Sequence, residues 1–98
     1  MNNGVDKKEK KKIIDIVKVI FSEAKVYLFG SRARSTHKEL SDIDIAIDVG
    51  KKVSRFDVAE ISGMLDASRI PFRIDVVDLH SVNEEMREDI LKEGILWS

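Results

Sequence analysis

Cysteine is absent from the 98-residue chain, which removes disulfides, thiolate nucleophiles and thiolate-ligated zinc from consideration. Proline occurs once, at Pro71, and no Pro/Gly/Ser-rich stretch divides the sequence. Apolar runs reach only a few residues, far short of the roughly 20 that span a bilayer. The N-terminus is polar and lysine-rich, without the apolar segment of a secretory signal, so a cytoplasmic protein with no membrane partner is expected. An excess of either charge is missing too. Lys and Arg number 17 against 18 Asp and Glu, a formal net charge of −1. That balance supplies no bulk attraction to nucleic acid and argues against a polynucleotide partner.

What remains is a chain of the size of one compact domain. Residues 1–98 read as that single domain, with Met1 to Asp6 expected to fray. Lys7 to Lys12 carries five lysines around Glu9, the solvated start of a helix. Lysines there oppose the helix dipole, so that end is expected to be ragged. From Ile13 the apolar residues Ile13, Ile16, Val17, Ile20, Phe21 and Ala24 recur at three- and four-residue spacing, which predicts one buried helical stripe. Lys25 to Phe29 is β-branched and aromatic and reads as a strand stopped by Gly30. A polar stretch, Ser31 to Ser41, follows, opening with a helical turn. Asp42 to Val49 alternates, with Ile43, Ile45, Ile47 and Val49 on one face and Asp42, Asp44, Ala46 and Asp48 on the other. Gly50 closes that strand.

Ser54 with Asp57 predicts the next helix start, and Phe56, Ala59, Ile61, Leu65 and Ile70 its apolar face. Pro71 stops it. Phe72 to Leu79 is a third strand. Ser81-Val82-Asn83-Glu84 has the form of a capping box, Met86, Ile90 and Leu91 give the last helix its apolar side, and Gly94 ends it. Ile95, Leu96 and Trp97 form an apolar tail that packs on the core, pairs at a sheet edge or meets a partner. The order helix, strand, strand, helix, strand, helix describes an α/β (α+β) architecture, a small sheet with helices packed on it.

Chemistry concentrates in one segment. Asp42 and Asp44 project from the same strand face with Cα atoms ~6.5 Å apart, close enough for both carboxylates to reach one cation. Adjacent carboxylates repel unless neutralised, and magnesium takes one or two carboxylates together with substrate phosphates. A solvated strand would show the same alternation, so Asp-x-Asp alone decides little. Asp75 adds to it: if Ile74 and Val76 face the core, Asp75 projects on the reverse side and joins the pair when its strand lies beside the second. Asp78 has the opposite parity. Gly30-Ser31, between a strand and a helical turn, offers backbone N–H groups and a hydroxyl suited to phosphate, and Arg32 and Arg34 add charge to the same region. His37 reads as an exposed loop residue and His80 as local structure.

Phe29-Gly30-Ser31-Arg32-Ala33-Arg34, the ten residues Arg32 to Ser41, then Asp42-Ile43-Asp44 resembles the Gly-Ser-x10-Asp-x-Asp motif of the DNA polymerase β-like nucleotidyltransferases. Chain size and Arg73-Ile74-Asp75-Val76-Val77-Asp78 resemble the minimal nucleotidyltransferase (MNT) branch. The resemblance implies that family's fold, with a small mixed sheet. It implies Asp42, Asp44 and Asp75 as catalytic residues and ligands of two Mg²⁺ ions, with Asp75 also helping to deprotonate the acceptor hydroxyl. Gly30, Ser31 and Arg32 would hold the phosphates of a nucleoside triphosphate, with ATP as donor. MNT proteins resemble the antitoxin half of HEPN/MNT toxin–antitoxin pairs, which implies a HEPN toxin partner with a tyrosine as acceptor. Two alternatives stay open: the catalytic subunit of a two-chain enzyme that modifies a small molecule or an RNA 3′ end, and an antitoxin or adaptor that acts by binding alone; an oligomer is compatible with each.

Overall fold

In the computed structural model, which describes residues 3–98, the alternating segment becomes strand β2 (Ile43–Asp48). It lies between β1 (Lys25–Phe29), antiparallel to it, and β3 (Ile74–Asp78), parallel to it. A short strand, β4 (Ile95–Leu96), pairs antiparallel with the other side of β1, so the sheet is mixed with order β3-β2-β1-β4.

Strand parity sorts the side chains into two cores. On one face Val26, Leu28, Ile43, Ile45, Ile47 and Ile74 pack under helices α1 (Lys7–Ile20) and α2 (Arg55–Ala67), which contribute Ile13, Val17, Ile61 and Leu65. On the other, Ala46 and Leu79 pack against Ile90 of helix α3 (Glu84–Glu93), with Tyr27, Phe29, Val77 and Met86 around them. The parallel β2–β3 step needs a crossover, which α2 supplies. The last helix covers only part of its face, and Asp44 and Asp75 lie on the remainder.

Several local expectations change. Met1 and Asn2 fall outside the described residues, but residues 3–6 are tied down rather than frayed. Val5 packs against the core, and Asp6 forms a capping box with Glu9: Glu9 N–H donates to Asp6 Oδ1 at 2.8 Å and Asp6 N–H to Glu9 Oε1 at 3.5 Å. These bonds satisfy helix-end donors and place two carboxylates where the dipole favours them, which offsets the lysines. Ser54 caps α2 as expected, accepting from Asp57 N–H at 3.2 Å. Phe56, assigned to the buried face, is instead 87% exposed, and Ala59 is exposed as well. Phe56 lies nine residues before Leu65, two and a half turns, and therefore points the opposite way. The last helix is capped by Asn83, which accepts from Met86 N–H at 2.8 Å, not by Ser81. Ser81 instead donates to Asp78 Oδ2 at 2.7 Å. The tail does two of the three things foreseen: Ile95 and Leu96 pair with β1, and Trp97 is buried in the core. Among the described residues, no helix is long and apolar enough to cross a membrane.

Candidate active site

The β ladders fix where the acids meet. Asp44 stands opposite Phe29 of β1 on one side and opposite Asp75 of β3 on the other. These two same-face partners act on each other through their charges, and they form the centre of the candidate site. Asp42 lies just before β2, exposed, and acts on Asp44 through its charge. Burial pushes the Asp44 carboxyl above its ordinary range, the charges of Asp75 and Asp42 push it further, and Arg34 pulls back. Crowded negative charge of this kind is what a cation would relieve. Asp75 is half-exposed and paired with Arg73, Nε to Oδ1 3.3 Å.

Gly30 ends β1 beside this pair with φ +76. Two constraints demand glycine there. The left-handed backbone disfavours a side chain, and a Cβ would strike Asp44 Oδ2. The chain then makes a helical turn, with Arg34 N–H donating to Gly30 O at 3.2 Å and Thr36 N–H to Ser31 O at 2.9 Å. The first N–H groups of such a turn have no partner within it, and Ser31 leads it next to Gly30.

Arg32 requires a correction. Its side chain is 1% exposed, and its donors are spent on backbone carbonyls rather than left for phosphate. Nε and Nη2 donate to Ser41 O at 3.1 and 2.8 Å, Nη2 to Glu39 O at 3.3 Å and Nη1 to Asn3 O at 2.8 Å, while the guanidinium stacks on Phe72 at 4.6 Å. Arg32 closes the loop that carries Ser31 to Asp42. The arginine of this turn whose charge acts on Asp44 is Arg34, half-exposed and 3.6 Å from Glu93 Oε2. Neighbouring residues of a turn point in different directions, so the two arginines could not both serve the site; the sequence contains that alternation but not the direction. His37 is half-buried beside Gly4 rather than free in solvent. His80 is structural as expected: its Nε2 lies 2.7 Å from Asp48 Oδ1 and its N–H donates to Asp78 Oδ1 at 3.0 Å. Asp78 is buried and also accepts from Val53 N–H at 2.8 Å, which accounts for it without a role in the site.

A cavity of about 610 Å³ opens beside the acids, bordered by Asp44, Asp75, Arg73, Met86 and, from α2, Ser62 and Asp66. Ser62 and Asp66 carry no signal in the sequence, because only the packing of α2 beside β3 brings them there. Among the described residues, no three acidic or imidazole side chains stand close enough together to hold a metal ion by themselves. An open pair of carboxylates with a third nearby still suits magnesium, which relies on substrate phosphates for part of its shell.

The sequence profile of the polymerase beta nucleotidyltransferases matches residues 11–97. The chain belongs to that family. It is a nucleotidyltransferase of the minimal branch. A relative in Methanocaldococcus jannaschii, provisionally named a protein adenylyltransferase, is 31% identical over 88% of this chain and 90% of its own. Among solved structures, a toxin–antitoxin complex with AMP-PNP superimposes with TM-score 0.78 at 28% identity, over 91% of this chain and 72% of that one. A complex of the tri-AMPylated Shewanella oneidensis HEPN toxin with its MNT antitoxin gives TM-score 0.71 at 26% identity, over 91% and 68%.

Proposed function

We propose that this nucleotidyltransferase moves AMP from ATP to a hydroxyl of another protein, a tyrosine of a HEPN toxin partner, and acts in the cytoplasm as the antitoxin. The observation that carries the reading is the pairing of Asp44 with Asp75 directly across adjacent strands, with Gly30 wedged against Asp44. The AMP-PNP and AMPylated-toxin complexes of similar chains support the donor and the acceptor.

In this mechanism the Gly30–Ser31 turn receives the β- and γ-phosphates through N–H groups and the Ser31 hydroxyl. Arg34, not Arg32, adds positive charge on that side. Asp42, Asp44 and Asp75 would hold two Mg²⁺ ions, with Asp75 giving up its ion pair with Arg73. Magnesium, when bound, supplies neutralisation of the charge spread over the transferring phosphate and its entering and leaving oxygens. The acceptor oxygen forms a bond to the α-phosphorus as the bond to the β-phosphate bridging oxygen breaks. Pyrophosphate leaves, and the hydroxyl proton passes to the Asp75 carboxylate and then to water. Most of the acceleration comes from positioning and charge neutralisation.

The test adds the purified protein, Mg²⁺ and α-phosphate-labelled ATP to lysate of its own host. One labelled protein band is expected, carrying AMP on tyrosine by mass spectrometry, and absent with Asp42→Ala/Asp44→Ala. Label on small molecules or RNA alone would assign a different acceptor. No label with any nucleotide, alongside intact binding to a partner, would leave binding as the mode of action.

A further inference from the structure

Strand β3 is an edge strand, and its free side runs straight from the acids. Ile43 N–H donates to Arg73 O and Leu79 N–H to Ile47 O, both at 2.9 Å. In a parallel ladder these bonds fix the alternation. Arg73, Asp75, Val77 and Leu79 turn their backbone groups toward β2, so Ile74, Val76 and Asp78 turn theirs away. Asp78 O is used by the following turn, accepting from Ser81 and Val82 N–H. Among the described residues, no other strand pairs with this edge.

Two cavities adjoin along it. The one beside the acids, about 610 Å³, and a second of about 450 Å³ share Val76 and Val77 as borders. The first is acidic, with Asp44, Asp66 and Asp75 against Arg73. The second is apolar along Val58, Ala59 and Val82, with Lys52 and Arg55 at its rim. The Asp78 carboxylate there is already engaged by Val53 N–H and Ser81 Oγ, so the exposed charge at that end is basic. The groove thus carries backbone donors and acceptors in its wall, an acidic end at the reacting acids and a basic end three residues further along the strand, ~10 Å away.

We infer that the free edge of β3 receives the polypeptide acceptor as an extended segment, paired through the backbones of Ile74 and Val76. Its hydroxyl residue lies at the Asp75 end with a cationic neighbour against Asp66, and acidic residues lie against Lys52 and Arg55. This rests on the protein-acceptor reading above and specifies how the acceptor is presented. Strand addition suits such an enzyme because main-chain bonds hold almost any extended segment, while side-chain pockets and charge polarity select among them.

The probe is a short synthetic peptide with arginine and tyrosine at one end, alternating valine and threonine, and glutamates at the other, made in both chain directions. Amide hydrogen exchange is followed by NMR on the full chain with Mg²⁺ and AMP-PNP, and AMP transfer to the peptide is measured separately with Mg-ATP. The expected result is that peptide slows exchange at Ile74 and Val76 by about tenfold or more, while Asp75 and Val77, already bonded to β2, change little. Val76→Pro removes an outward N–H without touching the β2 ladder. It should bind Mg-ATP as wild type does and lose peptide transfer, whereas Val76→Thr, which keeps the N–H, transfers normally. Transfer without protection of Ile74 and Val76 would overturn the inference and leave the protein-acceptor reading standing, as would Val76→Pro transferring at the wild-type rate. Protection without transfer would uphold strand addition and count against the acceptor chemistry. Neither protection nor transfer would overturn the inference, and so would protection that needs no peptide and grows with protein concentration, since the edge would then belong to a second copy of the chain. If Val76→Pro fails to fold, the exchange measurement decides alone.

Discussion

Asp44 answers to several constraints at once. It is partly buried, faces Asp75 across the ladder, and blocks any side chain at position 30. Its folded pKa is raised, so its contribution to stability is present below its unfolded value near pH ~4 and is lost as pH rises through the folded value. At neutral pH without divalent cation Asp44 therefore costs stability. Asp44→Asn is predicted to raise Tm in EDTA while lowering transfer by more than about 100-fold. Added Mg²⁺ with nucleotide should raise the wild-type Tm and leave the variant's nearly unchanged; thermal scans in both buffers check this. Arg32 makes the opposite case, a charged residue whose work is structural. Arg32→Ala should cost about 3 kcal/mol, because four carbonyl contacts and the Phe72 stack vanish together. Arg32→Lys should recover only a fraction, since an ammonium cannot reproduce the planar fork. Urea titration of the three proteins measures both.

Among the elements, the first helix begins with a capping box under a run of lysines. Asp6→Ala is expected to lose about 1 kcal/mol and to fray the first turn, visible as faster amide exchange at Glu9. At the other end of the chain, Trp97 is buried beneath the sheet just after β4, and Trp97→Ala should cost about 3 kcal/mol in denaturant midpoint measurements. These elements also show what a sequence reveals. The strands and the outward parity of Asp44 and Asp75 were legible because period-two alternation fixes which residues share a face, whereas the adjacency that sets the two acids side by side came from the β2–β3 register. The Asp6 cap was also present as Asp-x-x-Glu but was masked by the lysines that follow. Phe56 was misplaced because an apolar residue near a stripe is not on it unless its angle agrees. The Arg32–Arg34 choice and the Ser62–Asp66 wall depend on turn direction and on helix-to-strand packing, which no local pattern encodes.

Among the described residues the helices divide unequally, two on one face of the sheet and one on the other, and the uncovered corner of the second face carries the candidate site. The opposite end of β2 is closed by Asp48, which burial pushes upward but which the Gly50 N–H and His80 together hold below the ordinary carboxylate range. A depressed folded pKa contributes stability above about pH 4 that is lost as pH falls through the lower folded value. Asp48→Asn should therefore be less stable than wild type at neutral pH and flatten the acid limb of a stability–pH curve, a change at the end of β2 away from Asp44 that should leave nucleotide binding intact.

The decisive measurement follows both ends of the ATP triphosphate. The purified protein is incubated with Mg²⁺, its protein partner and ATP labelled on the α- or on the γ-phosphate, in parallel. The predicted result is α-label covalently on the partner and γ-label released as pyrophosphate in equal amount, both abolished by Asp44→Asn. Transfer of γ-label to the partner, or release of inorganic phosphate with neither label transferred, would contradict nucleotidyl transfer at Asp44 and Asp75.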